Sequence, residues 1–277
     1  MAIKYLDGGR ITGLSTDAKP DRDTSDATIP ALTVQAGSVF IETDTGAKYI
    51  HNGTAWIQEP FDSITSALGN NGGVTKRQWF QEWFTGKSLN TDIWGMWNES
   101  GSGSFAMSDS VDGGFSITTS AGGRSGIDFS GSAALNPDGN APRLTQFSHN
   151  SSTIIAVVKK TALSSRRLFV GFRYDGTTNG TAECALLHSH DGGNIGLLTG
   201  DDSGGDTTAG SVAPSTNYIL TKIVLKTSSC DMNINGILDV TRTEDLPTVA
   251  TQPQLMARDD GSGTCIVHCT YMEAYNH

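Results

Sequence analysis

Residues 37–58, Gly-Ser-Val-Phe-Ile-Glu-Thr-Asp-Thr-Gly-Ala-Lys-Tyr-Ile-His-Asn-Gly-Thr-Ala-Trp-Ile-Gln, constrain the fold of this chain more than any other stretch. Val39 to Glu42, Ala47 to Ile50 and Ala55 to Gln58 are short β-rich runs, separated by Asp44-Thr45-Gly46 and Asn52-Gly53-Thr54. Glycine and asparagine tolerate the positive φ of a tight turn, so the pattern predicts a three-stranded antiparallel module over residues 37–59. A sheet of that size is marginal in water. It needs something to lie against: the rest of the chain, a sister subunit or a larger assembly. That need points to an anchoring device.

Residues 1–36 read as an extended arm. Ile3, Tyr5, Leu6, Ile11 and Leu14 are its sparse apolar residues, Arg10 lies among them, and a polar run from Ser15 to Thr28 follows. A free segment of this composition is flexible, so the apolar residues are expected either to peg into a partner's groove or to belong to a loose tail. With Phe40, Tyr49 and Trp56 of the hairpins, Ile3, Tyr5, Leu6, Arg10, Ile11 and Leu14 are the expected anchoring residues. Residues 60–77 predict a short helix over Pro60–Leu68 and a linker at Asn70-Asn71-Gly72-Gly73.

From Gln78 onward the period is that of strands. Gly accounts for 33 of 277 residues and charged residues for only 17%, which disfavours long helices. Short runs from Trp79–Phe84 through Phe115–Thr119, Thr153–Lys159, Arg167–Tyr174 and Gln254–Arg258 to Cys265–Tyr275 recur at roughly 8–12-residue spacing, the mark of a β-sandwich or jelly roll. Ile219, Thr221, Ile223 and Leu225 share one strand face, and Asn235-Gly236 predicts a two-residue type I′ hairpin.

Two resemblances rest on these residues. Phe84-Thr85-Gly86-Lys87-Ser88-Leu89-Asn90-Thr91-Asp92-Ile93-Trp94, the strands Asn217–Leu225 and Met232–Leu238, and Cys269–Tyr275 resemble the opening turn, paired strands and returning strand of concanavalin/laminin-G-like sandwiches. The resemblance covers residues 78–277 and implies an all-β chain whose head is a concanavalin-like β-sandwich (jelly roll). Lys4–Asp17 with the hairpins of Phe40–Ile57 resembles modules that open virion proteins of tailed phages and related prokaryotic viruses, departing only in Ala47 before Lys48. It implies a viral structural protein made in the host cytoplasm and resident in the virion. Its partner would be a major capsid protein or tail protein, its N-terminal part a fixture and its head outward, with a homo-oligomer, a trimer foremost, as the assembly.

The formal net charge of −10 argues against nucleic-acid and anionic-membrane surfaces, which need clustered Lys and Arg. Lys159-Lys160 and Arg166-Arg167 read as solvated strand ends. Met1–Asp7 lacks the apolar core of a signal peptide, and no run is long enough for a membrane helix. Cys184, Cys230, Cys265 and Cys269 are too dispersed for a disulfide scaffold and read as small core hydrophobes.

Catalytic patterns are scarce. Glycosidases built on this kind of sandwich set carboxylates on alternate strand residues, and no Glu-x-Asp-x-Glu run occurs here. Glu82, Glu99, Glu183, Glu244 and Glu273 are isolated, and no Gly-x-Ser-x-Gly elbow exists. The expectation is a non-enzyme without a cofactor. His188-Ser189-His190-Asp191 reads as a strand end rather than a metal site. Asp201, Asp202 and Asp206 form an acidic stretch that reads as a turn, with calcium the lesser alternative. Trp94 and Trp97 are candidate glycan contacts if exposed and core plugs if buried. The expected function is a capsid decoration, cement or spike protein. The alternatives are a tail-fibre or receptor-binding protein that recognises host glycans, or a secreted carbohydrate-active enzyme.

Overall fold

The computed structural model describes residues 4–6, 10–20, 34–45, 47–58, 79–84, 88–91, 94–107, 114–128, 147–163, 166–174, 183–189, 193–201, 204–261 and 263–277. The helix and linker expected over 60–77, and Ile3, His190, Asp191 and Asp202, lie outside these residues. All regular structure among the described residues is β-strand.

The first five strands are β1 (Lys4–Leu6), β2 (Arg10–Gly13), β3 (Val39–Glu42), β4 (Lys48–His51) and β5 (Trp56–Gln58). Then come β6 (Trp79–Trp83), β7 (Gly95–Ser100), β8 (Gly103–Met107), β9 (Phe115–Thr119), β10 (Arg124–Asp128), β11 (Ser152–Lys160), β12 (Arg166–Arg173) and β13 (Cys184–Ser189). The chain ends with β14 (Gly196–Asp201), β15 (Gly204–Ala209), β16 (Ile219–Leu225), β17 (Cys230–Ile234), β18 (Ile237–Arg242), β19 (Gln252–Asp259) and β20 (Cys265–Asn276).

β6 to β20 build a sandwich of two antiparallel sheets. One has seven strands in the order β15-β14-β13-β12-β19-β10-β7. The other has eight, in the order β18-β17-β16-β11-β20-β9-β8, with β6 added against the C-terminal half of β20. Their facing sides meet in one apolar cluster that includes Phe115, Ile117, Ile154, Ala156, Val158, Leu168, Val170, Phe172, Leu187, Leu197, Ile223, Leu255 and Val267. Inward positions alternate along each strand, as the two-residue period requires. Ile219, Ile223 and Leu225 point inward together, and Asn235 and Gly236 turn the β17–β18 hairpin at φ 50° and 82°, both as expected from the sequence. The strand β15, by contrast, falls where the sequence suggested only acidic turns.

β1 to β5 form a separate sheet, in that order. It is larger than the three-stranded module expected, because two segments of the supposed arm join it. β1 pairs antiparallel with β2, and β2 runs parallel to β3, with Ile11 opposite Phe40. The sheet lies on the outer side of the eight-stranded sheet. Val39 and Ile50, with Ile41 and Ile57, pack against Ile155, Val157, Leu220, Tyr271 and Tyr275. Each such side chain taken from water contributes about 1.5–3 kcal/mol, enough together to fix a sheet that has little interior of its own. The surface that completes the hairpins is therefore this chain's own sandwich.

A bulge makes this docking possible. Along β20 the register jumps from Cys269, opposite Val158, to Tyr271, opposite Val157, leaving Thr270 extra. The inward phase shifts from Cys265, Val267 and Cys269 to Met272 and Ala274. Tyr271, Glu273 and Tyr275 are thereby turned outward beneath the small sheet.

Candidate functional site

Of the expected anchoring residues, Ile11, Phe40, Tyr49 and Trp56 occupy the far face of the small sheet. Ile11 and Phe40 are fully buried with Val34, and Tyr49 and Trp56 pack on them. Phe40 meets Tyr49 and Trp56 edge-on at 6.4 and 6.0 Å between ring centres. The segment after β2 folds back over this face: Lys19 Nζ lies 3.8 Å from the Tyr49 ring centre and 2.9 Å from Glu42 Oε1, and Trp56 Nε1 donates to the Pro20 carbonyl at 2.7 Å. Hydrogen bonds from Thr45 and Lys19 hold the Glu42 carboxyl below the usual carboxylate range. Rings engaged in this way serve the chain's own packing. Leu14 is half-buried. Tyr5 and Leu6 lie in β1 and Arg10 in β2.

A second surface is the outer face of the seven-stranded sheet. Residues in the phase opposite to Leu168, Val170 and Phe172 on β12, and to Leu255 and Ala257 on β19, point to it. The strand register aligns them in rows. One row runs Trp97–Gly126–Met256–Phe169–His188 across β7, β10, β19, β12 and β13. Phe169 and His188 stack at 4.6 Å with their planes 7° apart, and Phe169, Met256, Leu186 and Leu198 form a distinct apolar cluster with Trp97 at its margin. A Cβ at Gly126 would lie 2.4 Å from Trp97 Cζ2, so glycine there lets the indole lie across the sheet. Trp97, expected as a glycan contact, is thus half-buried on this face. Trp94 is not available: 1% exposed, it sits in the core against Phe80 and Phe84.

The next row carries Asp128, Gln254 and Gly171, and beyond it Gln252 pairs with Arg173. Gln252 and Gln254 are 5% and 2% exposed, yet Gln252 Oε1, Gln254 Oε1 and Trp97 Nε1 have no hydrogen-bond partner among the described residues. A buried polar atom left unpaired costs about 1–3 kcal/mol. On the other side of the aromatic row lies a row of arginines: Arg124 opposite Arg258, and Arg258 opposite Arg167. The sequence contained the signal, since Arg167-x-Phe169-x-Gly171-x-Arg173 and Gln252-x-Gln254-x-Met256-x-Arg258 are alternating patterns. A period-two reading weights the apolar phase of those strands, whereas the candidate site lies on the opposite phase.

Among the described residues, carboxylates on this face do not form a hydrolytic pair. Asp128 pairs in register with Gln254, and Asp260 lies six residues further along the β19 segment, a span of about 20 Å, where a retaining pair needs about 5–5.5 Å. Glu183 is buried and accepts from Thr248 N, Thr248 Oγ1 and Val249 N. Glu273 is buried under the small sheet. Burial at the sandwich edge pushes the Glu82 carboxyl up.

Of the metal candidates, Asp201 ends β14 and Asp206 lies within the adjacent strand β15, 3.8 Å from Arg242 Nη1. No cluster of three or more His, Cys, Asp or Glu side chains able to hold a metal occurs among the described residues. His188 is stacked on Phe169 rather than solvated. Lys160, also read as solvated, is 1% exposed and donates to the carbonyls of Arg166 and Ser189, tying β11 to the opposite sheet. The four cysteines are free and buried.

No family model and no curated protein matches the sequence. Solved structures with a similar course of the chain include the carbohydrate recognition domain of Emp47p, at 9% identity and TM-score 0.49, covering 74% of this chain and 99% of that one. A β-glucanase of Bacillus licheniformis is similar at 12% identity and TM-score 0.49, covering 75% and 100%. The transglycosylase Crh5 is similar at 12% identity and TM-score 0.48, covering 72% and 84%. These likenesses concern the course of the chain and carry nothing about function. The pairing of the two sheets makes this chain an all-β, jelly-roll-type sandwich in its own right.

Proposed function

We propose that this chain is a carbohydrate-binding protein that holds a glycan along the outer face of the seven-stranded sheet and does no chemistry on it. The observation that carries this reading is the pair of half-buried rings, Trp97 and His188, that end the row across β7, β10, β19, β12 and β13, beside the part-exposed guanidinium groups of Arg167 and Arg258. Apolar rings flanked by a few hydrogen-bonding groups are what a sugar offers to match: C–H faces and hydroxyls. The absence of a close carboxylate pair among the described residues of that face favours binding over hydrolysis.

Recognition of this kind fits the receptor-binding alternative drawn from the sequence. Attachment to a virion rests on the hairpin motif alone, and its expected anchoring residues Ile11, Phe40, Tyr49 and Trp56 are engaged within the chain. The test is a glycan array probed with the intact protein, followed by Trp97→Ala. Central aromatic anchors cost about 2 kcal/mol or more when truncated, so the affinity for the bound glycan should drop by roughly 30-fold while the fold persists. Binding to no glycan, or a Trp97→Ala variant that binds as tightly, would overturn the proposal. Release of reducing ends from a bound polysaccharide would show that the non-catalytic half of it is wrong.

A further inference from the structure

We infer that the glycan bound on this face is acidic, carrying carboxylate or sulfate groups that meet the arginine row of Arg124, Arg258 and Arg167; the inference rests on the glycan-binding reading. The three side chains come from β10, β19 and β12 and are nearest neighbours across the sheet. Like charges set opposite one another on one face of a sheet repel. Such an arrangement runs against the chain's general character, since only 19 of 277 residues are Lys or Arg and the net charge is −10. The overall field repels anions, so an anion site has to be assembled locally.

Asp260 gives this row a counter-charge from within the chain. It accepts from Arg258 Nε at 2.6 Å and is also paired with Arg167 Nε. One carboxylate shared between two guanidinium groups leaves donors on both, and the side chains of Arg167 and Arg258 stay 24% and 27% exposed. The planar guanidinium fork matches the two oxygens of a carboxylate or sulfate, which a lysine ammonium does not. The aromatic row begins two residues along the same strands, about 7 Å away, so one sugar chain can stack on Trp97, the half-buried end of that row, and present an anionic substituent to the arginines.

Calorimetric titration of the intact protein tests this with three probes: an oligogalacturonate, a sulfated oligosaccharide, and the carboxyl-reduced, neutral counterpart of the first. The expected result is at least tenfold tighter binding of an acidic probe than of the neutral one, and which acidic probe is preferred identifies the anionic group. Arg258→Gln should bring the acidic-to-neutral ratio close to one. Asp260→Asn, which removes the internal competitor, should raise the ratio, an effect that loss of folding cannot imitate. Equal affinity for neutral and acidic probes, or a ratio that Asp260→Asn leaves unchanged or lowers, overturns the inference while the glycan-binding reading stands. Binding of none of the three, together with an empty glycan array, overturns both.

Discussion

Lys48 of the small N-terminal sheet and Glu273 of the last strand, 225 residues apart in sequence, form an ion pair at the seam between that sheet and the sandwich. Glu273 is 1% exposed, Tyr271 Oη donates to the same carboxylate, and Gln81 Nε2 donates to Tyr271 Oη at 2.8 Å. Removing one member of a buried pair leaves a charge in a poor solvent. Lys48→Met is therefore expected to destabilise the protein by about 2–4 kcal/mol, somewhat below the figure for a fully buried pair because Lys48 keeps 18% exposure. Combining it with Glu273→Met should recover much of that loss. Urea unfolding of the intact variants, followed by tryptophan fluorescence and far-UV circular dichroism, measures both, and the two probes should report one shared transition.

Glu82 provides a pH test. Burial raises its carboxyl pKa, while a hydrogen bond from Trp94 lowers it in part. A folded-state pKa above the unfolded one means that the native protein holds the proton more tightly. The stability this gives is complete below the unfolded pKa and is lost as pH rises through the folded one. Glu82→Gln should accordingly be more stable than the parent at pH 7, with the advantage vanishing toward pH 4. Thermal melts across that range check the sign; a variant less stable at pH 7 would refute it.

Gly126 holds open the place of Trp97. A Cβ there would come within 2.4 Å of the indole and 2.8 Å of the Leu255 carbonyl oxygen. Gly126→Ala should turn Trp97 off the sheet, seen as a change in its fluorescence, and weaken glycan binding about as much as Trp97→Ala. Overpacking of this kind costs about 1–3 kcal/mol of stability.

Asn235 joins the β17–β18 hairpin to the small sheet. At φ 50° its Oδ1 accepts from Leu220 N at 3.0 Å and from Asn52 Nδ2 at 3.3 Å. Asn235→Ala loses the hydrogen bonds and adds left-handed strain, and should cost about 2–3 kcal/mol. Asn235→Gly loses the bonds without the strain and should cost less. Chemical denaturation gives the order, and a glycine variant worse than alanine would contradict the argument.

The cysteines should be inert in the native state. Burial pushes the Cys184 thiol up to about 12 and that of Cys265 up to about 11, with Cys230 and Cys269 raised further. Thiolate is the reactive form, so a thiol reagent at pH 8 should modify none of the four until the protein is unfolded, and then all of them.

What the sequence determined is local: alternation of period two placed β9, β11, β12, β16 and β20 nearly to the residue, and Asn235-Gly236 marked its hairpin, because pleat and turn are set by near neighbours. Tertiary structure alone decided the phases and the partners. Val39, Phe40 and Ile41 are apolar on both sides of β3, so nothing local tells which face meets the sandwich and which is covered by Lys19 and Pro20. Trp94 and Trp97 stand three residues apart, and only the placement of β7 sends one into the core and the other onto the sheet. The bulge at Thr270 exchanges the inward phase midway along β20. The candidate site is assembled from strands that are distant in the chain and adjacent only through hydrogen bonding, and no one segment of sequence contains it.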